Sequence, residues 1–434
     1  MSKYLDAAKQ TANYIDHYQV KTDHGIYWDI SNSFNGNWHY YDEISLYAGS
    51  AGIIKFLLAL YQETQDDHYL NTAKAAGDYL IYRWQNERPM KKAFSPYAFT
   101  TGYSGVGFIL DELYQVSNVP NYRNTVTEIA AEIIKDSDDK GYWSGQAGIV
   151  ADSGTVLFLI SLVDRYEITG LLETITSYGD YLISQKQHSD EYGDYYVGLD
   201  LKYVGGPIGK FNTGFPLGPA GVAFTLLKIY ELTGEKRFLD AISGIKDFYE
   251  NESLDERAIL LPHYLPDDNQ MCYAGYCGGP VGVSRYFYEY YRQLNDPSYL
   301  ESFKQSLKGL EVLGIPKKRS AGYWKTDNYC CGTAGVLQLY VGAYLAFGDQ
   351  HYFNLAEKIA DDLLERATTD QNGLKWIQAF ERKEPQNLTA ALGYYDGAAG
   401  IATSLLQFHQ LLTDHFAYHR VIDDPYPAVK QIEV

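Results

Sequence analysis

Three of the four cysteines in this 434-residue chain stand directly ahead of two copies of one short turn. Cys277 comes two residues before the turn 279–282, which reads Gly-Pro-Val-Gly. Cys330 and Cys331 come immediately before the turn 332–335, which reads Gly-Thr-Ala-Gly. Thiolate is a preferred ligand of zinc, and a catalytic zinc takes three protein ligands and leaves one position open. The spacing therefore predicts a zinc site made of three thiolates.

The turn belongs to a repeat that runs through the chain. Each copy has glycine at its first and fourth positions, and a strongly apolar stretch follows it. The copies occupy residues 49–52, 102–105, 145–148, 218–221, 279–282, 332–335 and 397–400. One such tetrapeptide would mean little, but seven copies at intervals of several dozen residues indicate a repeat architecture.

A helix of buried type is predicted behind each turn, and an amphipathic helix is predicted between one turn and the next. The stretches behind the turns, such as 149–162 and 336–345, are too apolar to face water. The intervening segments, such as 7–18 and 236–249, carry charges at helical spacing. Glycine suits the turns because a positive φ costs it little and because backbones can approach it closely.

Closure of the seven helix pairs into a double ring is the predicted architecture, with the inner helices shielded by the outer ones and the turns at one end. An open array of helix pairs is the alternative, but it would leave apolar helices uncovered. No linker rich in Pro, Gly or Ser divides the chain, so we expect one all-α domain over residues 1–434. The longer intervals at 190–209 and 253–270 are interpreted as loops that overhang the ring.

The position two residues before each turn, here called the slot, shows where the cysteines stand in the ring. The slots hold, in chain order, Tyr47, Thr100, Trp143, Pro216, Cys277, Cys330 and Tyr395. Cys277 and Cys330 fall in consecutive repeats, so three thiols should converge at one end of the cavity. Cysteines buried only for packing are the competing interpretation, because a free cysteine often behaves as a small apolar side chain. Cys272 lies outside the slots and is interpreted as a packed or free thiol.

These motifs resemble those of the LanC-like lanthionine cyclases, and the resemblance covers essentially the whole chain. Members of that family are helical toroids of seven repeats that hold zinc with a Cys-x-Gly-x-x-Gly and a Cys-His-Gly-x-x-Gly element. The resemblance implies that Cys277, Cys330 and Cys331 hold zinc, with Cys331 in place of the histidine, as in a Cys-Cys-Gly subgroup. It also implies that a peptide cysteine adds to dehydroalanine or dehydrobutyrine in a dehydrated precursor peptide. A dehydratase and an exporter are the further partners it implies.

The chain departs from the family pattern at the acid–base positions. Leu217 stands where a histidine usually precedes the fourth turn, and Gly278 stands where a tyrosine often follows the first cysteine. Gly141 replaces an aspartate ahead of the third turn, with Asp138 and Asp139 nearby. Since leucine and glycine side chains cannot donate a proton, another group must protonate the enolate that thiol addition produces.

Four residues near the turns are candidates for that acid. They are Tyr276, Asp327, Asp396 and His263. Each also has a structural interpretation, as a packing residue, a helix cap, a turn former or a residue of a surface loop.

Tyrosine is over-represented, with 42 in the chain, and several crowd the turns. These are Tyr47, Tyr103, Tyr142, Tyr276, Tyr329, Tyr394 and Tyr395. Most are expected to fill gaps between inner helices with their hydroxyls in water, while a few could grip an extended peptide.

Composition excludes several classes of protein. The net charge of -19 argues against a nucleic-acid partner. No apolar run is long enough for a membrane span, and the N-terminus lacks the apolar core of a signal peptide. Four cysteines in so long a chain fit a reducing cytoplasm better than a disulfide framework.

Three functions therefore remain open at the level of the sequence. The first is a zinc-dependent cyclase that forms lanthionine or methyllanthionine. The second is a catalytically impaired scaffold that binds a precursor peptide or a modification partner. The third is an enzyme that adds a small thiol, such as glutathione, to dehydroamino acids.

Overall fold

The computed structural model describes residues 2–31, 41–88, 90, 95–137, 141–267, 269–317, 326–379, 385–415 and 420–429. Asp138 and Asp139 lie outside these ranges. Within them the helices are α1 (Lys3–Asp16), α2 (Ser50–Thr64), α3 (Asp67–Asn86), α4 (Tyr103–Ser117), α5 (Pro120–Asp136), α6 (Asp152–Leu162), α7 (Leu171–Ser184), α8 (Pro219–Thr233), α9 (Lys236–Ala241), α10 (Ile245–Asn251), α11 (Pro280–Leu294), α12 (Pro297–Val312), α13 (Thr333–Phe347), α14 (Gln350–Arg366) and α15 (Ala398–Thr413).

Five short antiparallel strand pairs decorate the helices within the described ranges. The strands are β1 (Gln19–Thr22), β2 (Gly25–Trp28), β3 (Gln187–Ser189), β4 (Gly193–Tyr195), β5 (Phe211–Asn212), β6 (Tyr264–Leu265), β7 (Thr368–Asp370), β8 (Gly373–Lys375), β9 (Gln378–Ala379) and β10 (Leu388–Thr389). The β5–β6 pair sets Asn212 opposite Tyr264 and so ties the 253–270 loop to the chain before the fourth turn.

The inner ring consists of α2, α4, α6, α8, α11, α13 and α15. Each of these helices contacts the next one around the ring, and α15 contacts α2, so the ring closes. In α15 every residue from Ala398 to Leu411 is buried, which requires neighbours on all sides. The predicted closed double ring is confirmed, and α1 at the start of the chain packs beside α15 near its end.

The outer ring consists of the amphipathic helices. Asp66, Asp296 and Asp349 cap α3, α12 and α14, each by accepting a hydrogen bond from a backbone N–H in the first helical turn. The single outer helix predicted over 236–249 is wrong. The chain forms α9 and α10 instead, because it turns at Gly244, where φ is +87°.

Close approach between repeats explains the glycines of the turns. A Cβ added at Gly52 would lie 2.7 Å from the Tyr394 Cβ, and one added at Gly105 would lie 2.9 Å from the Leu46 Cβ. The expected positive φ is wrong, because Gly49 has φ −104° and Gly397 has φ −150°. The turns need glycine because their own carbonyl oxygens, such as Leu46 O at 2.4 Å from a Cβ at Gly52, and the neighbouring repeats together leave no room for a side chain.

A substitution at the seam between the first and last repeats tests this explanation. Gly52→Ala should lower the free energy of unfolding by about 1–3 kcal/mol, because the added methyl group overpacks the junction. Urea unfolding measures the change. Gly348→Ala is the control: its φ of +68° is unfavourable for alanine, but nothing lies within 4 Å of the added Cβ. A cost at Gly52 no larger than at Gly348 would contradict the explanation.

Backbone hydrogen bonds between slot residues form a rim at the turn end of the ring. The Cys277 N–H donates to the Cys330 carbonyl at 3.2 Å, and the Cys330 N–H donates to the Tyr395 carbonyl at 2.9 Å. The Tyr395 N–H donates to the Tyr47 carbonyl at 2.9 Å, and the Tyr47 N–H to the Thr100 carbonyl at 2.8 Å. Ring closure therefore builds the same rim that carries the cysteines.

The third turn differs from the prediction. The structure has Ala151 at the start of α6, and Gly154 provides the close approach, with an added Cβ 2.8 Å from the Phe99 Cβ. The predicted turn at 145–148 and the helix start at Ile149 are therefore wrong. By the same count the third slot falls at Ile149, and the N–H of the next residue, Val150, donates to the Pro216 carbonyl at 3.2 Å.

Residues 143–145 have another role. The Asp152 carboxylate at the start of α6 accepts hydrogen bonds from the N–H groups of Trp143, Ser144 and Gly145, at 3.2, 2.8 and 2.9 Å. Trp143 and Ser144 are thus not slot residues.

None of the helices within the described ranges is long and apolar enough to cross a membrane.

Candidate metal centre

The three slot-associated thiols meet at the turn end of the ring. The Sγ atoms of Cys277, Cys330 and Cys331 all lie within 4.8 Å of one another, and those of Cys277 and Cys331 are 3.1 Å apart. Cys330 is buried, and the other two are partly exposed. Cys272 is buried outside this cluster, where its Sγ lies 3.8 Å from the Gln270 carbonyl oxygen.

A close backbone contact holds the cysteine turns against each other, in addition to the hydrogen bond between their slots. Within the second turn, the Cys331 N–H donates to the Asn328 side-chain oxygen at 2.8 Å. A Cβ added at Gly275 would lie 2.6 Å from the Cys331 Cα, so the two turns touch through backbone atoms. Backbone contacts between neighbouring repeats therefore bring the two turns of the cluster together.

The cluster ionises unevenly. Hydrogen bonds from Cys277 and then Cys331 hold the pKa of Cys330 well below its usual value. The hydrogen bond to Cys330 raises the pKa of Cys277, and the hydrogen bond to Cys277 raises the pKa of Cys331. The three thiols are thus coupled, so that ionisation of one disfavours ionisation of the other two. Ionisation of all three requires a compensating cation, as thiolate metal sites provide.

Tyr47 was missed as a residue of the cluster. Its hydroxyl donates a hydrogen bond to the Cys330 sulfur, which contributes to the low pKa of that thiol. The Tyr41 and Tyr395 rings stack on it, with centroids 4.2 and 5.3 Å away. Tyr47 and Tyr395 occupy slots as the cysteines do, so their slot positions were the signal that could have identified them.

Two of the four acid candidates are engaged in structural contacts. The Tyr276 hydroxyl donates to the Asp423 carboxylate, and only 2% of Tyr276 is exposed. Asp327 accepts a hydrogen bond from Arg366 Nε at 2.8 Å and lies 4% exposed. Proton transfer by either residue would disrupt the contact that places it.

Asp396 lies buried beside the cluster. It is 1% exposed, and within the described ranges neither carboxylate oxygen makes a hydrogen bond. Burial raises the pKa of this carboxyl well above its usual value, and the nearby Cys330 raises it further. Both effects favour the neutral, protonated form of Asp396.

His263 lies directly against Gly278, the residue that follows the first cysteine. A Cβ added at Gly278 would lie 2.5 Å from His263 Nδ1 and 2.8 Å from Cε1. Any side chain at position 278 would thus exclude the imidazole. Gly278 departs from the family pattern, and the departure provides the space that His263 fills.

Backbone contacts hold His263 in this place although it comes from a long loop. Its N–H donates to the Met271 carbonyl at 2.7 Å, and its carbonyl accepts from the Thr213 N–H at 3.3 Å. Asn212 Nδ2 lies 3.3 Å from His263 Nδ1. Since Asn212 Oδ1 already accepts the Gly214 N–H at 2.8 Å, the amide presents its donor to the imidazole.

The glycine at position 141 also has a structural reason. Gly141 has φ +75°, and an added Cβ would lie 3.0 Å from both the backbone and the side chain of Ser177. An aspartate would be strained there, so the third repeat cannot supply a carboxylate from this position without rearrangement.

Packing explains most of the tyrosines near the turns. Tyr103, Tyr276, Tyr329, Tyr394 and Tyr395 are each at most 2% exposed. Their hydroxyls were expected to reach water, and this is wrong for four of them. The Tyr103 and Tyr395 hydroxyls are buried and make no hydrogen bond within the described ranges. Tyr276 donates to Asp423, and Tyr329 accepts a hydrogen bond from Arg285. Tyr47 and Tyr142 remain partly exposed.

A closed ring of seven inner helices, with three thiols gathered at its turn end, defines an α/α toroid with a candidate metal centre. The chain belongs to the lanthionine synthetase C-like protein family, whose family model matches residues 40–416. No curated protein matches the sequence significantly.

Several solved structures share the fold. Nisin cyclase has a TM-score of 0.64 and 16% identity, over 86% of this chain and 90% of its own. The Lin0763 protein of Listeria innocua has a TM-score of 0.52 and 12% identity, over 96% and 100%. A GH76 α-mannanase of Bacteroides thetaiotaomicron has a TM-score of 0.50 and 13% identity, over 95% and 98%. At such identities the likeness concerns the fold alone.

Proposed function

We propose that the chain is a zinc-dependent cyclase that forms lanthionine or methyllanthionine rings in a dehydrated precursor peptide, as one domain over residues 1–434. The convergence of three thiols from two neighbouring turns is the observation that carries this proposal. The proposed setting is the cytoplasm, where free thiols persist. A dehydratase and an exporter are its proposed partners.

The donor set of the cluster fits zinc. Ligands about 2.3 Å from a tetrahedral zinc lie about 3.8 Å from one another, and the three sulfurs are all within 4.8 Å. Thiolates favour zinc over magnesium and calcium, which take oxygen ligands. Cys277 and Cys331 are partly exposed, so a fourth ligand can approach from their side.

The proposed reaction divides between the metal and the protein. Bound zinc would supply the Lewis acid that keeps a substrate thiol ionised at neutral pH. Addition then forms one carbon–sulfur bond at the β-carbon of the dehydro residue and moves the alkene electron pair into an enolate. The α-carbon takes up one proton, which replaces the proton that the thiol lost. The reaction is balanced without an oxidant or a leaving group.

We assign the delivery of that proton to His263, with Asp396 as the second candidate. An imidazole gains and loses a proton near neutral pH, so it can return to its starting state after each ring closure. Its position against Gly278, beside Cys277, supports the assignment. Asp396 is more deeply buried and would need the substrate to reach it inside the ring.

Ring closure by the purified protein tests the proposal. We expect a dehydrated peptide with one cysteine to lose its free thiol at unchanged mass, because intramolecular addition neither adds nor removes atoms. Alkylation of residual thiols followed by mass spectrometry measures the loss. A metal chelator should stop the reaction, and added zinc should restore it. Thiol loss at the uncatalysed rate in the zinc-loaded protein would contradict a cyclase.

The other two functions give different results in the same assay. A scaffold would bind the peptide tightly and leave its thiol free. This alternative is favoured by Leu217 and Gly141, whose side chains cannot carry a proton. An enzyme that adds a small thiol would increase the peptide mass by one glutathione when glutathione is present.

A further inference from the structure

The last described segment, 420–429, enters the ring and lies between the two inner helices that follow the cysteine turns. The Tyr426 hydroxyl is 3.0 Å from Ser284 Oγ on α11. Its ring occupies space left by Gly342 on α13, where an added Cβ would lie 2.6 Å from Tyr426 Cγ. Tyr426 therefore separates α11 from α13, and we call residues 420–429 the tail wedge.

The tail wedge spans from one side of the ring interior to the other. Arg420, at its start, lines a cavity of ≈ 270 Å³ with Lys55 of α2 and Phe108 of α4. Val421 and Asp423 are buried, with 2% and 0% exposed. Residues 420–426 are therefore part of the packed interior, in contact with helices from both halves of the chain, whereas Val429 at the end of the segment is exposed.

A buried ion pair anchors the tail wedge to α11. Arg285 Nη1 donates to the Asp423 backbone carbonyl and to its Oδ1, both at 3.0 Å. The exposed fractions of the two side chains are 3% for Arg285 and 0% for Asp423. A buried guanidinium needs its carboxylate, because an unpaired charge in this environment is strongly destabilising.

The same ion pair reaches both residues that immediately precede the slot cysteines. The Tyr276 hydroxyl donates to Asp423 Oδ2, and Arg285 Nη2 donates to the Tyr329 hydroxyl. Arg285 also lies over the Tyr276 ring, 4.7 Å from its centroid. Asp423 is thus connected to the backbone on both sides of the cluster. One connection runs through Tyr276, and the other runs through Arg285 and then Tyr329.

We propose that Asp423 is a positioning residue of the thiol cluster and that the tail wedge sets the spacing of the two turns that carry it. The inference rests on the proposed function, since metal binding by the cluster is itself a proposal. Because α11 and α13 begin at those two turns, a change in their separation moves Cys277 relative to Cys330 and Cys331. Metal ligands need such support, because small displacements spoil coordination geometry.

Metal binding by Asp423→Asn tests the proposal. The substitution keeps the size of the side chain but removes the charge that pairs with Arg285. We expect cobalt(II) and zinc to bind about 10–100-fold more weakly, the usual effect of losing a residue that supports metal ligands. Competition with a chromophoric chelator gives the affinity, and the thiolate-to-cobalt absorption bands report the geometry. Both are measured well below the unfolding temperature of each variant.

Asp424→Asn is the matched control. Asp424 is the adjacent acid of the tail wedge, and its buried carboxylate pairs with Arg420 at 2.9 Å. This variant should unfold at a lower temperature while it keeps the wild-type cobalt spectrum and affinity. Equal disturbance of the site by both variants would overturn the proposal, because it would indicate general loosening. Wild-type affinity and spectrum in Asp423→Asn would overturn it as well.

A second variant covers the case in which Asp423→Asn does not fold. Tyr276→Phe removes only the hydroxyl that meets Asp423, and it should weaken metal binding in the same direction with a changed cobalt spectrum. Unchanged binding there would overturn the proposal. A wild type that binds no metal would refute the proposed function and this inference together, whereas metal binding unaffected by either variant would refute only this inference.

Discussion

Zinc should be lost from Cys277→Ala and from Cys330→Ala, and ring closure should fall to the uncatalysed rate in both. Each substitution leaves two thiols from the described cluster, too few for a catalytic zinc with three protein ligands. Metal analysis of the purified variants measures the loss, and the cobalt spectrum shows whether thiolate coordination survives.

Two further variants make this result specific. Cys272→Ala removes a buried cysteine outside the cluster, so zinc content and activity should stay at the wild-type level. Cys331→His restores the ligand set that the family resemblance describes as usual, and it should retain zinc. Full zinc retention in both Cys277→Ala and Cys330→Ala would show that the thiols are packing residues and that the metal centre is wrongly assigned.

The repeat and the positions of the cysteines could be predicted because both follow from residues that lie close together in the sequence. Seven apolar helices without a polar face demand a shared interior, and the slot position of each repeat fixes which residues meet at the rim. The proximity of Cys277 and Cys330 could therefore be predicted from the sequence alone. Tyr395 obeys the same rule, since its slot follows that of Cys330 around the rim, and the slot of Tyr47 follows next across the seam of the ring.

The third turn could not be predicted from the glycine pattern. Its first position is Ala151, while a Gly-x-x-Gly sequence a few residues earlier, at 145–148, imitates the motif. Which of the two segments faces a neighbouring repeat depends on close approach, and that is a property of the assembled ring. Both glycines approach a neighbour, since an added Cβ would lie 2.7 Å from the Pro216 oxygen at Gly148 and 2.8 Å from the Phe99 Cβ at Gly154, so the glycine pattern alone does not show which segment begins α6.

The position of the tail wedge also could not be predicted from the sequence. Residues 420–429 have no repeat pattern, and Asp423 finds Arg285 and Tyr276 more than a hundred positions earlier in the chain. Nothing in local composition distinguishes a buried aspartate that neutralises a buried arginine from one that lies on the surface. Only the three-dimensional packing of the tail wedge between α11 and α13 reveals the difference.

His263→Gln should slow ring closure by about 10²–10⁴-fold, the usual contribution of a general acid or base. Glutamine can occupy much of the imidazole space and can hydrogen-bond with Asn212, but it cannot exchange a proton near neutral pH. Zinc content and the cobalt spectrum should remain at the wild-type level, because His263 contacts Gly278 and contributes no ligand to the cluster. This combination separates loss of proton delivery from loss of metal.

Gly278→Ala tests the same assignment by displacing the His263 side chain instead of replacing it. Its methyl group would lie 2.5 Å from His263 Nδ1, so the imidazole must move away while every titratable side chain remains present. We therefore expect a loss of rate in the same direction as for His263→Gln, again with zinc retained. Asp327→Asn is the control, because Asp327 pairs with Arg366 and should affect stability more than rate. If both His263→Gln and Gly278→Ala close rings at the wild-type rate while Asp396→Asn does not, the proton comes from Asp396, and our assignment of His263 is wrong.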